Sequence, residues 1–69
     1  MRLSARNQLP GTITAIELGA VMAMVTLELD GGQRVTAAVT RASVEDLGLR
    51  VGTPATAVIK STEVMIGVD

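Results

Sequence analysis

The chain has 69 residues, of which 48% are hydrophobic, and it contains no cysteine, histidine or aromatic residue. Disulfide bonds, histidine–cysteine zinc sites and buried aromatic rings are therefore excluded as sources of stability. A single domain of this size is marginal by itself, so the large apolar fraction predicts an obligate oligomer. The net charge of −1 and the missing aromatic rings argue against nucleic acid as the main partner.

The N-terminal residues show no continuous apolar segment of the kind that signal peptides contain. No stretch of the chain approaches the roughly 20 apolar residues of a membrane-spanning helix. We therefore expect a cytoplasmic protein that has no membrane partner.

Three strands are predicted in the first part of the chain. A first strand covers about residues 2–8, and the Pro-Gly pair at residues 10–11 predicts a break before a second strand that ends near residue 18. Residues 21–30 give the clearest signal, because apolar side chains there alternate with a second set that begins apolar and ends charged.

A hairpin and a short helix are predicted next. Residues 30–32, Asp-Gly-Gly, tolerate positive φ and favour a tight turn into a strand at residues 33–40. Thr40 is suited to cap a helix that ends near Leu47, where Gly48 supplies the C-terminal stop.

A turn at residues 52–54 is predicted to lead into a strand at residues 55–60, and a last strand follows at residues 62–67. Five or six short strands with one short helix indicate an all-β fold. We predict a small Greek-key barrel of the OB type, formed by residues 1–69 as a single domain.

Two polar segments interrupt the apolar chain, Ser-Ala-Arg-Asn at residues 4–7 and Lys-Ser-Thr-Glu at residues 60–63. Each places a small hydroxyl residue beside a long cation, and such a set can hold a small oxyanion through charge, hydroxyls and backbone N–H groups. An isolated hydroxyl residue beside a cation usually belongs to the ordinary solvent-exposed surface and binds no ligand. Lys60, however, is the only lysine, and Ser61 and Thr62 cluster hydroxyls where an apolar strand ends. This clustering favours a binding site.

The turn at residues 40–43 has two compatible interpretations. The Thr40 side chain is expected to accept a hydrogen bond from the Ser43 N–H as a helix cap. A capped first turn also presents N–H groups and a partial positive charge to an anion. One set of residues can therefore cap the helix and contact a ligand.

The sequence gives little support for metal binding or for catalysis. Met22, Met24 and Met65 are the residue type that binds soft metals, but packing in a core or interface is the favoured interpretation. The sequence lacks the histidine, cysteine or close carboxylate pair that usually performs nucleophilic or acid–base catalysis, so we expect no enzyme. Glu63 is expected to form a surface ion pair beside Lys60.

Three stretches of the chain carry a recognisable motif: MRLSARNQLPGTI at residues 1–13, LGLRVG at residues 47–52 and TAVIKSTEVMIG at residues 56–67. They resemble the molbindins, the small Mop proteins related to TOBE domains. The resemblance runs along essentially the whole chain, and the SARN and IKSTEVM elements at this spacing are specific.

The resemblance implies an OB-like fold, a hexamer built as a trimer of dimers, and binding of molybdate or tungstate at subunit interfaces, with no further cofactor. By position, the implied oxyanion pocket comprises Ser4, Ala5, Arg6, Lys60 and Ser61 of one copy, with Thr40 and Ser43 supplied by a neighbouring copy. No other domain accompanies the module, so the resemblance implies storage or buffering of the ion. The second class of site described for molbindins cannot be assigned to residues.

Two other functions stay open. The same fold can act as a ligand-sensing regulatory module, and it would then have a protein partner and a surface that changes when the anion binds. A nucleic-acid-binding OB domain would require detectable binding to single-stranded oligonucleotides at low salt. The choice between molybdate and tungstate is also open, because the two ions have nearly the same size and charge.

Overall fold

The computed structural model describes residues 1–69 as a small, mainly β protein. Its elements are β1 (Asn7–Leu18), β2 (Met22–Leu29), β3 (Arg34–Thr40), α1 (Arg41–Leu47), β4 (Pro54–Ile59) and a 3₁₀ helix, Ser61–Glu63. The four strands form one antiparallel sheet in the order β3-β2-β1-β4. The sheet curls into a half-barrel whose concave side carries the core. The predicted all-β class with one short helix is confirmed.

The core of this half-barrel is small. Alternate side chains of β1 and β2 point to its concave side, and α1 adds one side chain from the end of the barrel. Only 5 of the 69 residues are buried, namely Ile13, Ala23, Val25, Leu27 and Val44. So few buried residues leave much of the apolar content of the chain on its surface.

The predicted break at residues 10–11 is wrong, because β1 runs through both of them as one 12-residue strand. Pro10 lies opposite Thr56 of β4, at the end of β1 that β2 does not reach, so a missing N–H is tolerated there as at a sheet edge. Gly11 is required for close approach, since a Cβ at this position would lie 2.6 Å from the backbone oxygen of Glu28. The two residues that commonly mark a turn are here used within a strand.

The hairpin and the helix are confirmed. Gly32 adopts φ 90° in the turn, and the Leu29 N–H donates to the Gln33 carbonyl over 2.8 Å. Gly48 ends α1 in the left-handed conformation at φ 63°. None of the helices has the length and apolar character that crossing a membrane requires.

The two terminal strands of the prediction are not formed. Residues 2–6 are irregular, and the segment predicted at 62–67 consists of the end of the 3₁₀ helix followed by residues without regular structure. A strand needs a neighbour for its backbone groups, and the chain offers these two segments none. The sheet therefore has four strands instead of five or six, and β3 and β4 remain as free edges.

Candidate functional site

The pairing of β1 with β4 brings the two polar segments together. Asn7 at the start of β1 lies opposite Ile59 at the end of β4. The residues just outside this pair, Arg6 and Lys60, therefore emerge at the same corner of the sheet. A shallow cavity of about 450 Å³ opens there, lined by Ser4, Ala5, Arg6, Lys60, Ser61 and Thr62. Five of the seven predicted site residues thus lie in one place.

Local hydrogen bonds give both walls of this cavity a defined shape. The Gln8 side-chain amide donates to the Ala5 carbonyl over 2.8 Å, which holds the N-terminal wall against the start of β1. On the other wall, the Glu63 N–H donates to the Lys60 carbonyl over 2.9 Å and closes the 3₁₀ turn. Lys60 is thus anchored through its own carbonyl, and Arg6 directly follows the anchored Ala5, while both cationic side chains stay exposed.

The cavity carries positive charge that no carboxylate neutralises. The single ion pair in the structure joins Arg41 to Glu45 over 3.3 Å on the surface of α1. The predicted ion pair between Glu63 and Lys60 is therefore not formed. Arg6 and Lys60 are left free to interact with an anion, with hydroxyl groups beside them.

Thr40 and Ser43 lie away from this cavity. Thr40 is the last residue of β3, which is the opposite edge of the sheet from β4, and Ser43 follows it in the first turn of α1. The predicted cap is confirmed, because the Ser43 N–H donates to the Thr40 Oγ1 over 3.0 Å. The two hydroxyl oxygens are also 2.7 Å apart and share a hydrogen bond. One copy of the chain does not bring these two residues to the cavity.

Thr62 lines the cavity although it was not among the predicted site residues. Its place in the 3₁₀ turn, directly after Ser61, aligns it with the same wall. The cluster of hydroxyl residues after Lys60 was the signal in the sequence that pointed to it.

The methionines lie elsewhere: Met22 and Met24 are about half exposed on the convex side of β2, and Met65 is almost fully exposed.

The sequence profile of the TOBE domain matches residues 3–66. The chain belongs to the TOBE-domain family. Within that family it groups with the Mop proteins, because it is 54% identical over 66 residues to molybdenum-pterin-binding protein 3 of Clostridium pasteurianum, covering 96% of this chain and 97% of that protein. The resemblance to molbindins is thus confirmed.

Two solved structures of similar proteins have the same fold. MopII from C. pasteurianum, in an apo form, superposes with a TM-score of 0.93 at 46% identity, covering 97% of this chain and 100% of that one. The cytoplasmic molybdate-binding protein ModG, with molybdate bound, superposes with a TM-score of 0.95 at 54% identity over 100% of this chain. This TOBE domain spans 49% of the ModG chain. The OB-like class of the prediction is confirmed, and the strand number is corrected to four.

Proposed function

We propose that this TOBE domain binds molybdate or tungstate in the cavity between residues 4–6 and residues 60–62. The observation that carries the proposal is the convergence of Arg6 and Lys60, neither paired with a carboxylate, with hydroxyl groups at one corner of the sheet. The relatives named for molybdenum-pterin or molybdate binding support the same ligand. The ion is the cargo of the protein and not a catalytic cofactor.

The donors in this cavity suit a tetrahedral dianion. Arg6 and Lys60 supply the charge, and Ser4, Ser61 and Thr62 supply hydroxyl groups. Ala5 has only a methyl side chain and can contribute through its backbone. Hydrogen bonds to charged groups contribute about 1.5–3 kcal/mol each. Several of them, after the cost of desolvation, are enough for micromolar affinity, which corresponds to about −8.2 kcal/mol.

A neighbouring copy completes the site in this proposal. The cavity is open to solvent on one side, whereas a tetrahedral ion needs donors from all directions. Thr40 and Ser43 form a compact pair of hydroxyls at the opposite sheet edge. A second copy that docks this edge against the cavity supplies the missing donors. We propose a homo-oligomer, a hexamer built as a trimer of dimers, in which each ion lies between copies.

The role that follows is storage or buffering of the oxyanion in the cytoplasm, without catalysis. The cavity contains two cations and three hydroxyl residues, which bind an anion but include no activated nucleophile or base. The ion is then held and released unchanged.

Isothermal titration of the purified protein tests this function directly. Molybdate and tungstate are expected to bind with Kd values at or below about 1 μM, with sulfate and phosphate titrated under the same conditions to measure discrimination. Failure of both molybdate and tungstate to bind more tightly than about 1 mM, which is −4.1 kcal/mol, would overturn the proposal.

A further inference from the structure

The two walls of the candidate anion cavity are held in different ways. On the wall formed by residues 60–62, two backbone hydrogen bonds close the 3₁₀ turn. The Glu63 N–H donates to the Lys60 carbonyl over 2.9 Å, and the next N–H along the chain donates to the Ser61 carbonyl over 3.4 Å. This wall also follows directly from β4. Its shape is therefore set by the backbone itself.

The wall formed by residues 4–6 has no such backbone support. Residues 1–6 lie outside every helix and strand, and none of the backbone hydrogen bonds involves them. The chain bends at Ser4 and again at Arg6, directly before β1 begins. A bent segment that makes no hydrogen bonds regains conformational entropy by leaving that shape. Another interaction must hold these bends.

A single side-chain hydrogen bond supplies that interaction. The Gln8 Nε2 amide donates to the Ala5 carbonyl over 2.8 Å, and no other hydrogen bond in the structure involves residues 1–6. Gln8 itself is fixed within β1, where it lies opposite Val58 of β4. The bond is partly buried, whereas the other side-chain hydrogen bonds are exposed. Water therefore competes with it less than with the others.

This hydrogen bond also fixes the direction of one peptide unit. The Ala5 carbonyl accepts from Gln8 and is therefore turned towards β1. The Arg6 N–H belongs to the same planar unit, which is trans, so it points the opposite way. This N–H has no backbone partner in the chain. Gln8 thus occupies a carbonyl oxygen that would repel an oxyanion, and it leaves an N–H donor free to bind one.

We propose that Gln8 is a positioning residue of the anion site, which holds residues 4–6 in their binding arrangement before an ion binds. This role rests on the proposed function, because it concerns the same cavity. Gln8 does not line the cavity, and it acts through the peptide unit between Ala5 and Arg6. A wall that is ordered in advance loses less conformational entropy on binding, so the affinity for the anion is higher.

Replacing Gln8 by methionine tests this role, because methionine has a similar length and lacks the N–H donor. Gln33→Met is the matched control, since Gln33 is exposed and its side chain makes none of the hydrogen bonds found in the structure. In titrations of the full chain, Gln8→Met should weaken molybdate binding at least about tenfold, or 1.4 kcal/mol. Gln33→Met should leave the affinity unchanged.

The melting temperature without ligand separates positioning from a general role in stability. Residues 4–6 add no backbone hydrogen bond to the sheet, so the two methionine variants should melt at the same temperature. Unchanged molybdate affinity in Gln8→Met would overturn the positioning role, and so would a loss of affinity that is accompanied by a lower melting temperature. If the original chain itself does not bind molybdate, the proposed function fails and takes this role with it.

NMR relaxation of the anion-free protein tests the order of this wall directly. Backbone order parameters of residues 4–6 should lie near about 0.85 in the original chain and in Gln33→Met, and below about 0.6 in Gln8→Met. Values below about 0.6 in the original chain would overturn the proposal even if molybdate binds.

Gln8→Glu adds a test by pH on one side chain. At pH 7 the new carboxylate is ionised and only accepts hydrogen bonds, so it repels the Ala5 carbonyl and residues 4–6 should be mobile. At about pH 3.5 the protonated carboxyl regains an O–H donor, and the order parameters should rise again. The original chain, measured at both pH values, is the control. Order in Gln8→Glu that does not depend on pH would contradict the role of this donor.

Discussion

Replacing Thr40 by aspartate separates the two roles that this residue has in our account. Thr40 Oγ1 accepts a hydrogen bond from the Ser43 N–H over 3.0 Å and thereby caps α1. Aspartate is at least as good an N-cap residue as threonine, so the helix is expected to keep its start. The new carboxylate adds a negative charge at the place where a neighbouring copy is proposed to present its hydroxyls to the anion.

The expected magnitudes differ strongly for stability and for binding. Since the cap is retained, the free energy of unfolding should change by less than about 0.5 kcal/mol. A unit charge about 5 Å from a dianion costs about 1.7 kcal/mol at the dielectric constant of water and about 6.6 kcal/mol at an effective dielectric constant of 20. Even the lower value weakens molybdate binding more than about tenfold.

Two control substitutions at the same position complete the experiment. Thr40→Ser keeps both the cap and the hydroxyl, so stability and binding should both stay close to those of the original chain. Thr40→Val removes both, which is expected to cost about 1 kcal/mol of stability and about 4–8 °C in melting temperature. The assays are thermal unfolding without ligand and titration with molybdate.

Unchanged molybdate affinity in a folded Thr40→Asp protein would refute the reasoning. Thr40 lies at the opposite edge of the sheet from Lys60 in the same copy. An effect of this substitution on binding therefore requires that the site be shared between copies.

Four further predictions concern the cavity, the sheet and the assembled form. Lys60→Ala should weaken molybdate binding at least about tenfold, because it removes a charge from the site, whereas the control Arg50→Ala, which removes an exposed cation outside the cavity, should leave the titration isotherm unchanged. Arg6→Ala should weaken binding less than Lys60→Ala if the Arg6 backbone N–H matters more than its guanidinium. Equal losses of affinity in the two variants would contradict that ranking. Gly11→Ala should lower the free energy of unfolding, measured by denaturant titration, by about 1–3 kcal/mol, because the new Cβ would lie 2.6 Å from the backbone oxygen of Glu28. An unchanged midpoint of denaturant unfolding would show that β1 and β2 can move apart at no cost. Molybdate at a hundredfold excess over Kd should stabilise the assembled form by about 2.7 kcal/mol, which is measured as a rise in melting temperature. A melting temperature that stays constant at saturating molybdate would contradict the linkage of binding to folding and assembly.

The parts of the fold with strong local signals are predictable from the sequence. The alternation in β2, the Asp-Gly-Gly turn, and the cap and stop residues of α1 each depend on neighbours in the chain, and each is found as expected. The break at residues 10–11 was mispredicted because proline and glycine usually mark turns. Only the partners of β1 reveal that Pro10 lies beyond the reach of β2 and that Gly11 lies against Glu28.

The candidate site is partly predictable for a similar reason. The two polar segments are far apart in the chain, and the pairing of Asn7 with Ile59 that joins them is a property of the sheet. The chemistry of the residues indicated an anion, but one copy does not determine which surface faces Thr40 and Ser43. A last strand is predicted at residues 62–67, and a single copy offers no strand beside it.

Complementation between two defective variants tests the shared site most directly. Lys60→Ala disables the cavity half of the site, and Thr40→Asp disables the half proposed to come from a neighbouring copy. When the two variants are co-expressed and assemble at random, about a quarter of the sites combine two intact halves. Titration of the mixed oligomer should then recover molybdate binding at about a quarter of the original stoichiometry with the original affinity. If both halves belong to one chain, the mixed oligomer will contain no intact site, and the absence of recovered binding would contradict the account.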